Sequence, residues 1–266
     1  MSRVPFPGST PRVFGHRGAA GLAPENTLPS FALALALGAN VLELDVHASA
    51  DGQIVVMHDP TLERTTNGSG PLREQPWSAL QRLDAGFHFT RDGRDFPYRG
   101  QGVRLPTLEA LLLAFPHAAC NIEIKQADPP IAADVIGLIR RQHAEHRVLL
   151  AAEHDAIMTE IRRHAGGIAT SCTASEVAAF VSCLTTTGFD AYTAPGCALQ
   201  IPPRFGPIEL VSADSVTAAH RHGMEVHVWT INQRDEMERL LDCGVDGIMS
   251  DLPGMARVTV DKRAKP

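Results

Sequence analysis

The chain has 266 residues, 44% hydrophobic and 20% charged, with a formal net charge of −6. This is ordinary globular composition with material for a sizeable core, and the acidic balance argues against a nucleic-acid binder, which carries a basic patch or a high pI. Cys120, Cys172, Cys183, Cys197 and Cys243 are odd in number and lack Cys-x-x-Cys spacing, which argues against a disulfide framework or a zinc–thiolate site and for reduced thiols.

The opening MSRVPFPGSTPR has prolines and a glycine where a secretory signal needs an apolar run. A first strand is expected at 13–16 and a helix at 27–38. Asn26 or Thr27 can supply its N-cap, and Pro29 is tolerated in the first turn. The most apolar run, 31–44, is interrupted by Gly38 and Asn40 and is too short to span a membrane. It predicts a helix followed by a buried strand at 41–45. Residues 53–58 predict another strand with no helix before it. Asp51-Gly52 between the two fits a two-residue type I′ hairpin, which sets Asp45 opposite His58 and Leu44 opposite Asp59; a bulge would shift this register by one. Residues 60–106 lack periodicity apart from a helical candidate near 76–84, and such an insertion directly after His58 should border a site. Helices at 107–115, 130–143, 154–164, 174–184, 213–222 and 233–242 then alternate with strands at 120–125, 147–151, 168–171, 190–194, 225–230 and 247–251. The basic tail from Asp261 reads as a frayed terminus.

Alternation of β and α over the whole chain predicts a parallel sheet. Eight such strands at this length favour a closed (β/α)8 TIM barrel, one domain over 1–266, with a hairpin and a small insertion after the second strand.

Strand side chains alternate, so Glu43 and Asp45 share one face of the second strand, and Asn121, Glu123 and Lys125 share one face of NIEIK. The apolar faces should pack on helices and the polar ones point into the barrel near its mouth. Converging carboxylates repel one another, and a divalent cation relieves that repulsion. An all-oxygen set suits Mg²⁺, Ca²⁺ or Mn²⁺ rather than zinc. The alternative is a salt-bridge cluster with Lys125 and Arg17.

GHRGAAG (15–21) has neighbouring glycines but no phosphate-loop lysine; its informative part is His16-Arg17 at a strand end. Two histidines, His16 and His58, allow one general base and one general acid. A cation with Arg17 and Lys125 suits a group that gains negative charge, as phosphodiester cleavage requires. In EVHVWT, Trp229 at the strand end can wall a leaving alcohol, face a choline-like cation, or simply fill the mouth as a core aromatic. His227, one layer deeper, reads as a hydrogen-bonded core residue. Glu25 can help cap the first helix or orient His16 or Arg17. His47 lies in the hairpin without an evident role, His143 and His146 read as an exposed helix face, and His220 and His222 lie near a helix end.

The stretches GHRGAAGLAPENT, LELDVHASADGQIVVMHDPTLERTTNGSG, LPTLEALL, NIEIK, VHVWTIN and GVDGIMSDLP, in this order, resemble the glycerophosphodiester phosphodiesterases from about residue 12 to residue 254. The resemblance implies a TIM barrel and metal-dependent hydrolysis of glycerophosphodiesters to glycerol phosphate and an alcohol. It places the catalytic pair on His16 and His58, the metal carboxylates on Glu43, Asp45 and Glu123, and substrate contacts on Arg17, Lys125 and Trp229. The expected cofactor is one divalent cation, Mg²⁺ or Ca²⁺, with Mn²⁺ admissible. The expected partner is a small-molecule diester, with no nucleic acid and no stable membrane anchoring; the missing signal and reduced thiols point to the cytoplasm. Two other readings are a lysophospholipase D acting on lysolipids and a barrel that binds phosphodiesters without turnover. Charges interleave Phe87, Phe89, Phe96 and Tyr98 and weigh against the first; the full set of charged positions weighs against the second.

Overall fold

The computed structural model describes residues 6, 8–184 and 192–263. The chain runs through β1 (Arg12–Gly15), α1 (Leu28–Ala36), β2 (Val41–Ala48), β3 (Ile54–Val56), α2 (Trp77–Leu80), α3 (Leu108–Ala114), β4 (Ala119–Ile124), α4 (Ala132–Arg141), β5 (Val148–Ala151), α5 (Asp155–Ala165), β6 (Ala169–Thr170) and α6 (Ala174–Leu184). It continues through β7 (Ala198–Ile201), β8 (Arg204–Phe205), β9 (Ile208–Glu209), α7 (Ala213–Arg221), β10 (Glu225–Val228), α8 (Arg234–Asp242), β11 (Gly247–Ser250) and α9 (Pro253–Arg263).

Eight parallel strands form the wall in the order β6-β5-β4-β2-β1-β11-β10-β7. A parallel bridge between Ser171 and Ala198 brings the two ends together, so the sheet is a (β/α)8 barrel. Short apolar strands and amphipathic helices account for this arrangement. Leu42, Leu44, Ile122, Val226 and Ile248 turn outward into one continuous core beneath the helices. Inside, Phe6, Phe14, Val41, Leu149, Ala198 and Met249 pack together. Arg12 is buried with its Nη1 donating to Glu225 at 2.7 Å and its Nη2 to the Phe6 carbonyl at 2.9 Å. Among the described residues no helix is long and apolar enough to cross a membrane.

Three expectations change. The strand expected at 190–194 is not the wall strand: residues 190 and 191 lie outside the described residues, 192–194 carry no strand, and the wall is completed by β7. Tyr192 and Thr193 have the better β-propensity, but Ala198 and Leu199 are the residues that bury against neighbouring strands. The C-terminal tail is helical through Arg263, with Pro253 in its first turn, Pro253, Ala256, Thr259 and Val260 on its buried face, and Arg263 paired to Asp242.

The hairpin register is also shifted by one residue. Val46 pairs with Val56 and His47 with Val55, so the residue opposite Asp45 is Met57, whose N–H donates to the Asp45 carbonyl. The cause is the turn. Ser49 still pairs with Gln53, and Gly52 at φ 81° donates to the Ser49 carbonyl, giving a three-residue loop closed by a left-handed glycine.

Along β3, Ile54 and Val56 face the main core while Val55 turns into a second apolar cluster with Met57, Leu62, Leu72, Leu80, Val103 and Leu105. The insertion therefore packs its own core on the back of the hairpin, immediately beside His58.

Candidate active site

Parallel strands deliver all their C-terminal ends to one face of the barrel. On β2, Glu43 and Asp45 point inward and are 4% and 1% exposed. Parallel pairing with β4 sets Asp45 beside Glu123. One carboxylate oxygen from each of Glu43, Asp45 and Glu123 lies within 4.8 Å of the others, so the three predicted carboxylates converge. Lys125 Nζ sits over them, 2.6 Å from Glu123 Oε1 and 3.4 Å from Asp45 Oδ1.

Burial and the neighbouring Asp45 charge push the Glu43 carboxyl up to about 7. Burial and Asp45 raise Glu123 in the same sense, with Lys125 opposing. Burial also works against Asp45, but Lys125, Arg17 and His58 outweigh it and hold that carboxyl below its usual value. A dense anionic centre thus disfavours ionisation of Glu43 in the absence of further positive charge.

The loop after β1 supplies the next two groups. Arg17, at φ 49°, turns its backbone N–H onto Glu43 Oε2 at 2.8 Å, and its Nε lies 3.4 Å from Asp45 Oδ2. Gly18 permits this turn: its φ is +89°, and a Cβ there would stand 2.7 Å from the Ser30 carbonyl carbon. Gly18→Ala should therefore cost more than about 1 kcal/mol of stability, read from denaturant midpoints, because neither the dihedral nor the space suits a side chain. Thr27, not Asn26, caps α1 through Ser30 N–H. Asn26 instead donates from Nδ2 to Asp45 Oδ2 at 3.0 Å.

Each histidine stands on a carboxylate. His16 Nδ1 is 2.7 Å from Asp251 Oδ1, and Asp251 is held from behind by Asn232 Nδ2 at 2.6 Å. Burial lowers the His16 pKa, but the Asp251 hydrogen bond and the Glu43 charge win and raise it above 6.5. His58 Nδ1 is 2.6 Å from Asp59 Oδ1. Hydrogen bonds from Arg64 hold Asp59 down to about 2. An ionised carboxylate only accepts, so both Nδ1 atoms carry the proton and both Nε2 edges remain for chemistry. His16 Nε2 lies 4.0 Å from Glu43 Oε2. His47 Nε2 donates to the His58 carbonyl at 3.0 Å, the role its sequence position did not disclose.

Trp229 stands at the end of β10, 42% exposed, on the same face. His227 is fully buried, against the Phe14 ring, with Glu225 at 2.9 Å, as expected for a core histidine. Glu25 pairs with Arg17 and Arg64 and does not cap the helix.

Sequence reasoning assigns no role to Asp251, Asn232 or Arg64, and places Asp59 in the hairpin without giving it one. Asp251 had one available signal: barrel closure pairs Gly15 with Ser250, so the next residue of each strand end must be neighbours. Asp59 lies next to His58, and HDPTLER repeats acid and base around it. Only the fold tells which of these touch.

Fold and mouth together define the class: a (β/α)8 barrel of the enzyme type, with its charged groups gathered at the C-terminal ends of the strands. Residues 16–255 match the profile of the glycerophosphoryl diester phosphodiesterase family. The chain is similar to a glycerophosphodiester phosphodiesterase of Caldanaerobacter subterraneus, 31% identical over 250 residues that cover 91% of this chain and 94% of the relative. It is similar in structure to a glycerophosphodiester phosphodiesterase of Agrobacterium tumefaciens, with TM-score 0.75, 28% identity, and 93% and 99% of the two chains covered. A phosphodiesterase of Oleispira antarctica, solved in complex with the product sn-glycerol-3-phosphate, matches at TM-score 0.73 and 25% identity over 95% of this chain and 97% of that one. The chain belongs to the glycerophosphoryl diester phosphodiesterase family.

Proposed function

We propose that this chain hydrolyses glycerophosphodiesters to glycerol 3-phosphate and an alcohol, using His16 and His58 as general acid–base pair and one divalent cation held by Glu43, Asp45 and Glu123. The observation that carries this reading is the convergence of three carboxylates with Arg17, Lys125 and two carboxylate-backed histidines at one barrel mouth. The donor set fits the ion: it is all oxygen, suited to Mg²⁺, Ca²⁺ or Mn²⁺, and its upward-shifted Glu43 marks a site short of positive charge. When bound, such a cation polarises a phosphoryl oxygen.

The protein's own groups supply the rest. Arg17 and Lys125 neutralise the phosphoryl oxygens as charge builds on them. One histidine Nε2 takes the proton of the attacking hydroxyl, and the other gives a proton to the departing alkoxide oxygen. The attacking hydroxyl belongs to water or to the glycerol 2-position, and a substrate lacking that hydroxyl separates the two routes. Trp229 walls the leaving alcohol at the rim. The odd number of cysteines and the lack of Cys-x-x-Cys spacing support a cytoplasmic setting.

The test is release of glycerol 3-phosphate from a panel of glycerophosphodiesters, and of lysophosphatidate from a lysophospholipid. EDTA-stripped protein is compared with protein given Mg²⁺, Ca²⁺ or Mn²⁺. Metal-dependent release from the diesters is expected. Release confined to the lysophospholipid would move the reading to a lipid substrate, and no release with any head group or ion would reject it.

A further inference from the structure

We propose that Arg64 is a positioning residue for the reaction, a strut that fixes His58 and Arg17 relative to one another across the mouth. It rests on the reading above, in which His58 moves a proton and Arg17 holds the phosphoryl group.

The guanidinium fork of Arg64 serves two carboxylates at once. Nε donates to Asp59 Oδ2 at 2.5 Å and Nη2 to Asp59 Oδ1 at 3.0 Å. Nη1 donates to Glu25 Oε2 at 2.6 Å and Nη2 to Glu25 Oε1 at 2.8 Å. Each carboxylate then reaches a different functional group. Asp59 Oδ1 holds His58 Nδ1, and Glu25 Oε1 accepts from Arg17 Nη1 at 2.9 Å. The continuous chain is His58–Asp59–Arg64–Glu25–Arg17. It joins the end of β3 to the loop after β1, two segments that are not neighbouring strands in the wall.

Arg64 is itself held by the insertion. Its turn is closed by Leu62 N–H on the Gly70 carbonyl and Thr66 N–H on the Leu62 carbonyl, and Leu62 and Thr66 are buried. The insertion core thereby sets where the strut stands. The guanidinium makes no contact with Glu43, Asp45 or Glu123 among the described residues; four of its five N–H donors are spent on Asp59 and Glu25. It is 47% exposed, so as a bare ion pair it adds little stability. Its consequence is geometric. A bidentate grip fixes the plane of Asp59, and that plane fixes the tautomer and ring direction of His58, as carboxylates do for catalytic imidazoles in general. A lysine carries one point charge and cannot grip two carboxylates in defined planes.

The experiment compares wild type, Arg64→Ala, Arg64→Lys, Asp59→Asn, the Asp59→Asn/Arg64→Ala double variant and His58→Ala with the metal-loaded enzyme. Arg64→Ala should lose about 10- to 100-fold in kcat, the scale of lost supporting contacts, with circular dichroism and cation affinity unchanged. Arg64→Lys should recover only part. Millimolar guanidinium should restore Arg64→Ala but not His58→Ala. On the Asp59→Asn background, removing Arg64 should cost less than it does alone, because the part that acts through the His58 ring is already lost and only the Glu25–Arg17 arm remains. A kcat within about twofold of wild type for Arg64→Ala overturns the proposal, as does full additivity in the double variant. If Arg64→Ala fails to fold, the Asp59→Asn and Arg64→Lys arms decide it in the same way. An inactive His58→Ala beside a fully active Arg64→Ala rejects the strut alone; an active His58→Ala rejects the reading beneath it as well.

Discussion

Replacing His16 or His58 by Ala should lower kcat about 10²- to 10⁴-fold, the range that general acid–base catalysis supplies. KM should move less, since on the proposed mechanism Arg17 and Lys125 hold the phosphoryl group in either variant. The two variants should differ in their response to the leaving group. An alcohol departs only with a proton, whereas an acidic nitrophenol departs without one. The variant lacking the general acid should therefore recover most of its rate on a nitrophenyl diester, while the variant lacking the general base should not. This pattern assigns the roles that the symmetrical Nδ1–carboxylate contacts leave equal. The folded state should survive both changes. Asp251 keeps its bond from Asn232, and Asp59 keeps its two bonds from Arg64, so neither carboxylate is orphaned. Near-normal turnover in either variant would remove that histidine from the mechanism.

The second large effect concerns the carboxylate cluster in the absence of a divalent cation. Glu43 has an ordinary carboxyl value of 4.5 and is pushed up to about 7 in the folded protein by burial and Asp45. Between those pH values the folded state keeps a proton that the unfolded state has released. Stability must then fall as pH rises through the window, by a total of order 3 kcal/mol. Glu123 and His16 act in the same sense, while His47, lowered by burial, opposes them below pH 6.5 with a smaller shift than that of Glu43. The raised folded value of His16 gives a stabilisation present below 6.5 and lost as pH rises through that folded value. Asp59, depressed to about 2, acts in the opposite sense, but its contribution is lost only as pH falls below 3.8 towards that value, outside this window. EDTA-treated protein should therefore melt at a lower temperature at about pH 8 than at about pH 5. A saturating divalent cation should abolish most of the difference, because it needs the deprotonated carboxylates and stabilises by mass action. Glu43→Gln should flatten the slope and lose activity together. A wild-type slope that matches Glu43→Gln in the presence of EDTA would show that Glu43 titrates normally.

Much of this centre is legible in short stretches of sequence. Period-two alternation put Glu43 with Asp45 and Glu123 with Lys125, and the structure keeps both pairs on the inner face. Helix and strand order gave the barrel, since each apolar strand had to be covered by a helix on its outer face. The register of β2 with β3 was not legible. It depended on whether the turn closed over two residues or three, and Asp-Gly is compatible with both. The wall strand β7 was missed because its burial comes from its barrel neighbours, not from its own β-propensity.

Which groups are present, and which local faces they occupy, can be read along the chain. Those are consequences of side-chain chemistry and of backbone periods that extend over only a few residues. Which distant group supports which depends on how the barrel and its insertion close. Asp251 reaches His16 only because the last strand closes onto the first, and Arg64 reaches Glu25 only because the insertion folds back over the loop after β1. Such pairings join residues tens to hundreds of positions apart. Their geometry is fixed by closure of the barrel and packing of the insertion core, and no local pattern of polarity carries it.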